Sequence, residues 1–372
     1  MANVIETIYY YFSVVISGVI VYGMYTALKK WSSDPSSSSN DSDDCKKAQK
    51  IEGKFNYKYQ HPFITSEHSR KKKKNKPVEH YITVHSAKRK KSSWTQPRKR
   101  GLVIGIDYLG TRNQLAGCIN DASDVHRTIV EEYNYDETLL MTDKTELKPT
   151  RENICRALKW LCHEREEGEE VLYLHYSGHG GFVYGSKTEE DHKDETIVPL
   201  DFQTQEDIVD DDLHRMIVDP LIGSKRHLTA FFDCCHSGTG IDLKYQYEVK
   251  KGLFGRRTIR SKTAKQQYSS LSFHKNRSLP NVYFFSGCTD EQTSSDVAAS
   301  EDVPSHGAFT KAYLSALQRD RTQRSEQRGK APVTWREFLL DIHDGLDKGR
   351  FEQRPQFSAS KSVDLSSHLY VG

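Results

Sequence analysis

The chain has no pair of cysteines at C-x-x-C spacing. Its seven cysteines, at positions 45, 118, 155, 162, 234, 235 and 288, are odd in number and scattered over 372 residues. That excludes a disulfide-stapled scaffold and a zinc ribbon, and it suits thiols kept in a reducing compartment. Hydrophobic residues are scarce at 36%, below the roughly 45–50% usual for globular chains. No internal repeat is present, so a solenoid or propeller is excluded.

Charge is missing from one stretch. Thr7 to Leu28 holds no Asp, Glu, Lys or Arg over 22 residues. A helix of that length rises about 33 Å, enough for a hydrocarbon core of about 30 Å. A cleaved signal peptide would want basic residues before its apolar core and a small-x-small site after it, and neither is evident. Lys29 and Lys30 follow the stretch while only Glu6 precedes it. Residues 1–30 are therefore read as a membrane anchor, with the rest of the chain in the cytosol.

The overall balance of +3 conceals a strong asymmetry. Leu28 to Arg100 carries 20 Lys/Arg against 7 Asp/Glu, a local +13, whereas residues 101–372 carry 34 against 43, a local −9. Residues 31–98 are Ser- and Lys-rich, include the runs Arg70 to Lys74 and Lys88 to Lys91, and lack periodicity. They read as a disordered basic tether. Anionic lipid on the cytosolic leaflet would attract such a segment, and nuclear import is a further use of it, giving a cytoplasmic or nuclear protein after release. Aromatic residues are not regularly interleaved, which argues against nucleic acid as a partner.

From Gly101 the pattern changes. Short apolar runs at Leu102 to Ile106, Leu139 to Thr142, Val171 to Tyr176, Leu228 to Phe232 and Val282 to Ser286 predict strands. Between and after them, Ala122 to Glu132, a stretch opening at Thr150, Leu213 to Leu221, Ala308 to Gln318 and Thr334 to Leu346 predict helices. Strands alternating with helices give an α/β class with a mostly parallel sheet covered on both faces. Lys250 to Asn276 interrupts the pattern as a polar, basic loop.

Two of the strands run into chemistry. Val171 to Leu174 leads into His175-Tyr176-Ser177-Gly178-His179-Gly180-Gly181, and Leu228 to Phe232 leads into Asp233-Cys234-Cys235-His236-Ser237-Gly238. A cysteine and a histidine at the ends of two strands are what a nucleophilic Cys–His enzyme needs, because a thiol attacks an amide only as its thiolate. By position alone either Cys234 or Cys235 could be that thiol.

Three further blocks accompany them: Gly101 to Asp121 (G-L-V-I-G-I-D-Y with N-Q-L-A-G-C-I-N-D), Asp194 to Asp201 (D-E-T-I-V-P-L-D) and Ser286 to Asp296 (S-G-C-T-D-E-Q-T-S-S-D). In this order the five blocks resemble the type I metacaspases, caspase-fold cysteine peptidases, over roughly residues 101 to 372. The 56 residues from His179 to Cys235 are close to the roughly 50 of caspase-type sites.

The resemblance implies a caspase-like three-layer sandwich over 99–372, with a large region 99–248, a processing loop 249–279 and a small region 280–372. It makes Cys235 the nucleophile and His179 its base, with the N–H groups of Gly180 and Cys235 as oxyanion hole. Cys234 then points the other way along the extended chain and packs inside. His175 and His236 are expected to be structural. Asp121, Ser177 and Asp233 match the positions that line the pocket for a substrate Lys or Arg; the competing reading of Asp121 is a helix cap. Asp194, Asp210, Asp211 and Asp242 match positions that bind an activating Ca²⁺, although Phe182 to Lys193 is less acidic than the family's usual loop. For Asp210 and Asp211 the competing reading is again a helix start. Residues 31–98 have neither the Pro/Gln-rich nor the zinc-finger character common in relatives at this place. The expected protein is a monomeric, self-processing, calcium-stimulated peptidase acting on peptides with Arg or Lys before the cut. The alternative is an inactive membrane-tethered scaffold.

Overall fold

A computed structural model describes residues 85–86, 97–163, 168–184, 193–234, 240–252, 256–263, 278–287, 296–297, 306–326 and 332–371. The expected anchor, most of the basic linker and Cys235 lie outside these residues. Among the described residues no helix is long and apolar enough to cross a membrane.

In chain order the elements begin with β1 (His85–Ser86), β2 (Arg98–Gly105), α1 (Cys118–Arg127), β3 (Glu137–Thr142), α2 (Arg151–Cys162) and β4 (Glu170–Ser177). Next come β5 (Gly180–Tyr184), β6 (Lys193–Ile197), β7 (Ile208–Val209), α3 (Asp210–Ile217) and β8 (His227–Asp233). The remainder are β9 (Tyr245–Lys251), β10 (Arg257–Thr263), β11 (Asn281–Ser286), β12 (Asp296–Val297), β13 (His306–Gly307), α4 (Ala308–Glu326), α5 (Trp335–Lys348) and β14 (Gln356–Ala359).

The main sheet has nine strands in the order β1-β3-β2-β4-β8-β11-β14-β9-β10. Its centre, β3 to β11, is parallel. The four outer pairings are antiparallel. The expectation of a mostly parallel sheet therefore holds for the central five strands only. The polar loop expected from Lys250 also needs correction, because β9 and β10 form a hairpin there. An edge hairpin buries one face only, so no continuous apolar run marks it. Arg257 fastens it to α5 through Asp344 and Asp347.

The central strands alternate as a sheet covered on both faces requires. Leu102, Ile104, Leu172, Leu174, Leu228, Ala230 and Phe232 face a core completed by Ile154 and Leu158 of α2 and Leu213 of α3. Val103, Tyr173, Phe231 and Phe285 face the other core, with Val125 of α1, Phe309 of α4 and Phe338 of α5. The three-layer α/β sandwich follows. Thr150 caps α2 by accepting the Asn153 N–H, and Thr334 opens α5 with a reciprocal capping box to Glu337. One glycine sets the position of α1. A Cβ on Gly105 would overlap the Cys118 carbonyl and crowd the Ala122 methyl, so only glycine lets the helix lie this close to β2.

Candidate active site

From β2 the chain runs to β3 on one side, then crosses to β4 on the other. Such a reversal leaves a crevice at the carboxyl ends of the strands, where α/β proteins bind ligands. Ser177 ends β4 and Asp233 ends β8, and the two are opposite in register. Both belong to the alternation that faces α1 and α4. Asp121, on the first turn of α1, completes the group: the Ser177 hydroxyl donates to its Oδ2 at 3.0 Å. Asp121 does not cap its helix. Asp107 does that, accepting the N–H groups of Cys118 and Ile119 at 2.9 and 3.3 Å.

The two acids are buried, Asp121 completely and Asp233 to 4% exposure. Both are satisfied from the start of α4. Gly307 N–H donates to Asp121 Oδ2 at 2.9 Å, and the Thr310 N–H and hydroxyl donate to Asp233 Oδ2 at 2.9 and 2.8 Å. Helix N-terminal N–H groups and the macrodipole favour negative charge here. Even so, burial pushes the Asp121 pKa up to about 7, with the nearby Asp233 charge adding to the rise and the His306 hydrogen bond opposing it.

His179 lies just past β4. Its ring Nε2 is 2.7 Å from the Asn113 carbonyl oxygen, which can only accept, so Nε2 donates there and Nδ1 is the nitrogen left to face a thiol. Its backbone N–H donates to the Tyr108 hydroxyl at 3.0 Å, and its carbonyl accepts the Tyr176 hydroxyl at 2.7 Å. Gly180 opens β5, paired with Ile197. Cys234 is 1% exposed and packs in the core between the sheet and α2 and α3. His175 is fully buried against the Tyr313 hydroxyl at 2.8 Å, and burial pushes its pKa down to about 3, which makes it a neutral core residue.

A second acidic group forms behind β6. Asp210 and Asp211 of α3 and Asp242 each place a carboxylate oxygen within 4.8 Å of the others. Asp194 is on β6, and the N–H of its neighbour Glu195 donates to Asp210 Oδ2 at 3.1 Å. Asp194 Oδ1 is buried without a hydrogen-bond partner. Asp242 has φ +50°, a backbone position Asp tolerates better than most residues. The acidic triplet at the start of α3 is split by this arrangement, since Asp212 pairs instead with Arg151 and Arg215. Asp210 also serves the start of α3, its Oδ1 accepting the Asp211 N–H at 2.7 Å.

The family model described as metacaspase, peptidase C14 domain, matches residues 99–244. Metacaspase-1 of Pyricularia oryzae is 34% identical over 312 residues, covering 74% of this chain and 74% of its own length. This chain belongs to the metacaspase family. It is a cysteine-type peptidase, a hydrolase. Metacaspase-3 of Trypanosoma brucei brucei is 34% identical, covering 72% of each chain. A solved structure of a Geobacter sulfurreducens protein covers 73% of this chain and 98% of its own at TM-score 0.47 and 22% identity.

Around the candidate site of this metacaspase, sequence reading missed Tyr108, Asn113, His306, Gly307 and Thr310. Tyr108 lies inside the first block, but nothing local marks it as a partner of His179. Thr310, three residues into a predicted helix, carries a weak signal, because a hydroxyl there belongs to the first turn.

Proposed function

We propose that this metacaspase cuts after Arg or Lys, with Cys235 as nucleophile and His179 as its base. The observation that carries the reading is the pair of buried carboxylates: Asp233 ends β8, the strand that leads to Cys235, and Asp121 of α1 is bonded to Ser177, which ends β4, the strand that leads to His179. Two acids in a small cleft repel each other unless a cation joins them, and a substrate guanidinium or ammonium supplies one. Asp, as the residue before the cut, would add a third negative charge and be rejected.

In the chemical step, His179 Nδ1 takes the thiol proton and the Cys235 sulfur attacks the scissile carbonyl carbon. The N–H groups of Gly180 and Cys235 receive the developing oxyanion. The C–N bond then breaks, and the His179 proton passes to the leaving amine. Water, deprotonated by the same imidazole, releases the acyl group from sulfur.

Calcium stimulation is part of the proposal. The carboxylate trio of Asp210, Asp211 and Asp242 fits a hard cation, and the buried Asp194 Oδ1, which has no hydrogen-bond partner, lies on the neighbouring strand β6 without belonging to the trio. When bound, Ca²⁺ would neutralise these acids and supply no part of the Cys–His chemistry. The residues that respond connect to the site: β6 carries Asp194 and pairs with β5, which begins at Gly180 beside His179.

Residues 1–30 would hold the enzyme on a membrane with its catalytic domain in the cytosol, and the basic linker would add contact with anionic lipid. Self-cleavage between Arg70 and Lys91 would release the domain. The enzyme would act as a monomer.

Turnover of Arg- and Lys-ended reporter peptides, with an Asp-ended peptide as control, tests the reading. Cys235→Ala should abolish cleavage. Cys234→Ala should keep most of it and lose about 1 kcal/mol of stability from the core. Cleavage after Asp, or equal loss in both folded cysteine variants, would overturn the assignment.

A further inference from the structure

The carboxylate cradle already holds a basic group that belongs to the chain. The His306 imidazole Nδ1 donates to Asp121 Oδ1 at 3.0 Å, and the Gly307 N–H reaches both oxygens of the same carboxylate at 2.9 and 3.1 Å. With the Ser177 hydroxyl on Oδ2, Asp121 is fully enclosed. Asp233 is closed in turn by Thr310. The space between the acids is filled as well. A Cβ added to Gly307 would overlap Asp233 Oδ2 and come within 2.9 Å of Asp121 Oδ2. While β13 sits there, no Arg or Lys side chain reaches either carboxylate.

The charges around His306 favour its protonated form. Asp121 and Asp124 of α1 face the ring, the latter with Oδ2 3.7 Å from Nε2. Lys311 on the first turn of α4 opposes them, and Asp233 of β8 adds negative charge at Asp121. The Asp121 hydrogen bond raises the His306 pKa, and burial of the pair only partly cancels that rise.

We propose that His306 and Gly307 are an internal occupant of the pocket for the basic side chain. This rests on the Arg/Lys reading of the preceding section. The imidazole and the N–H of β13 hold Asp121 in the place of the substrate's cation, and substrate enters by displacing them. KM for a basic substrate is then set by competition with His306. A neutral side chain gains too little from Asp121 to displace it, so the same segment sharpens specificity.

The test uses the full chain at neutral pH. KM and kcat for an Arg-ended reporter, and the inhibition constant of an Arg-ended peptide aldehyde, are measured for wild type, His306→Gln and His306→Lys. Gln removes the competing charge and should lower both KM and the inhibition constant by up to about tenfold, the scale of one charge-assisted hydrogen bond. Lys makes the occupant permanently cationic and should raise both. Opposite directions cannot come from a merely structural role, which would raise KM for both variants. Both variants shifting KM upward, or neither shifting it, would overturn the proposal. Should the Lys variant fail to fold in a thermal melt, the direction of the Gln change decides alone. Failure of the Arg/Lys reading would look different: wild type itself would show no preference for Arg over neutral or acidic reporters.

Discussion

Tyr108 holds His179 in two ways: its hydroxyl accepts the histidine backbone N–H at 3.0 Å, and its ring lies 4.7 Å from the imidazole. The same hydroxyl donates to the Val198 carbonyl at 2.6 Å, which anchors it across to the strand pair β5 and β6. Tyr108→Phe keeps the ring and leaves the His179 N–H without its acceptor, at a cost of roughly 1–3 kcal/mol. The expected result is a fall in kcat of about tenfold with KM for an Arg reporter little changed. Steady-state kinetics check this, and a change confined to KM would contradict it.

Asp121 should give the enzyme a pH dependence tied to substrate charge. Its pKa is raised to about 7, so the carboxyl is ionised above that pH and neutral below it. Attraction for a cation is therefore present on the alkaline side and lost as pH falls through about 7. Inactivation by an Arg-ended chloromethyl ketone, divided by inactivation with uncharged iodoacetamide, separates this from titration of the thiol and His179. The ratio should fall with acidification, approaching about tenfold per pH unit. In Asp121→Asn it should stay low and flat.

Calcium should raise the melting temperature of the wild type, by about 2.7 kcal/mol of stability at a hundred times Kd. Asp210→Ala or Asp211→Ala should remove both this shift and the gain in activity. Asp212→Ala should keep both, because Asp212 is engaged with Arg151 and Arg215. Scanning calorimetry with calcium and with chelator distinguishes the three. Full activity in chelator, unchanged by calcium, would remove the regulatory role.

Self-cleavage near the hairpin should avoid its paired strands. Lys250, Lys251, Arg260 and Lys262 sit within the β9–β10 ladder, and a peptidase needs an extended segment that is not already hydrogen-bonded. Cuts are expected after Lys265, Lys275 or Arg277, and not after Arg256, whose carbonyl accepts the Gly252 N–H at 2.7 Å in the hairpin turn. Mass spectrometry of purified wild type against Cys235→Ala locates them. Early cuts after Arg260 or Lys262 would show that the hairpin opens first.

The parallel centre of the sheet was legible because each of its strands contains a continuous apolar run, and all eight residues of β4 are buried. The hairpin was not, since only Tyr245, Tyr247, Val249 and Ile259 bring apolar side chains to the core there. The carboxylates of the site and Ser177 could be picked out through the resemblance, but not the partners that His306, Gly307 and Thr310 supply. His306 is 185 residues from Asp121, and no local periodicity reports a contact over that separation. Reading Asp121 as a helix cap was reasonable on composition. It fails because Asp107, 11 residues before Cys118, reaches the first N–H groups of α1.

The order β8-β11-β14-β9-β10 makes the sheet a dovetail. Strands preceding a cut between β10 and β11 flank those following it on both sides, through the β8–β11 and β14–β9 ladders. Severing the backbone there would leave one object: two bands on a denaturing gel, a single peak on a native sizing column. Neither half made alone could complete its sheet. Each would expose raw strand edges of the kind that pair with any passing neighbour, so the intact chain is the only form from which the nicked enzyme can be reached.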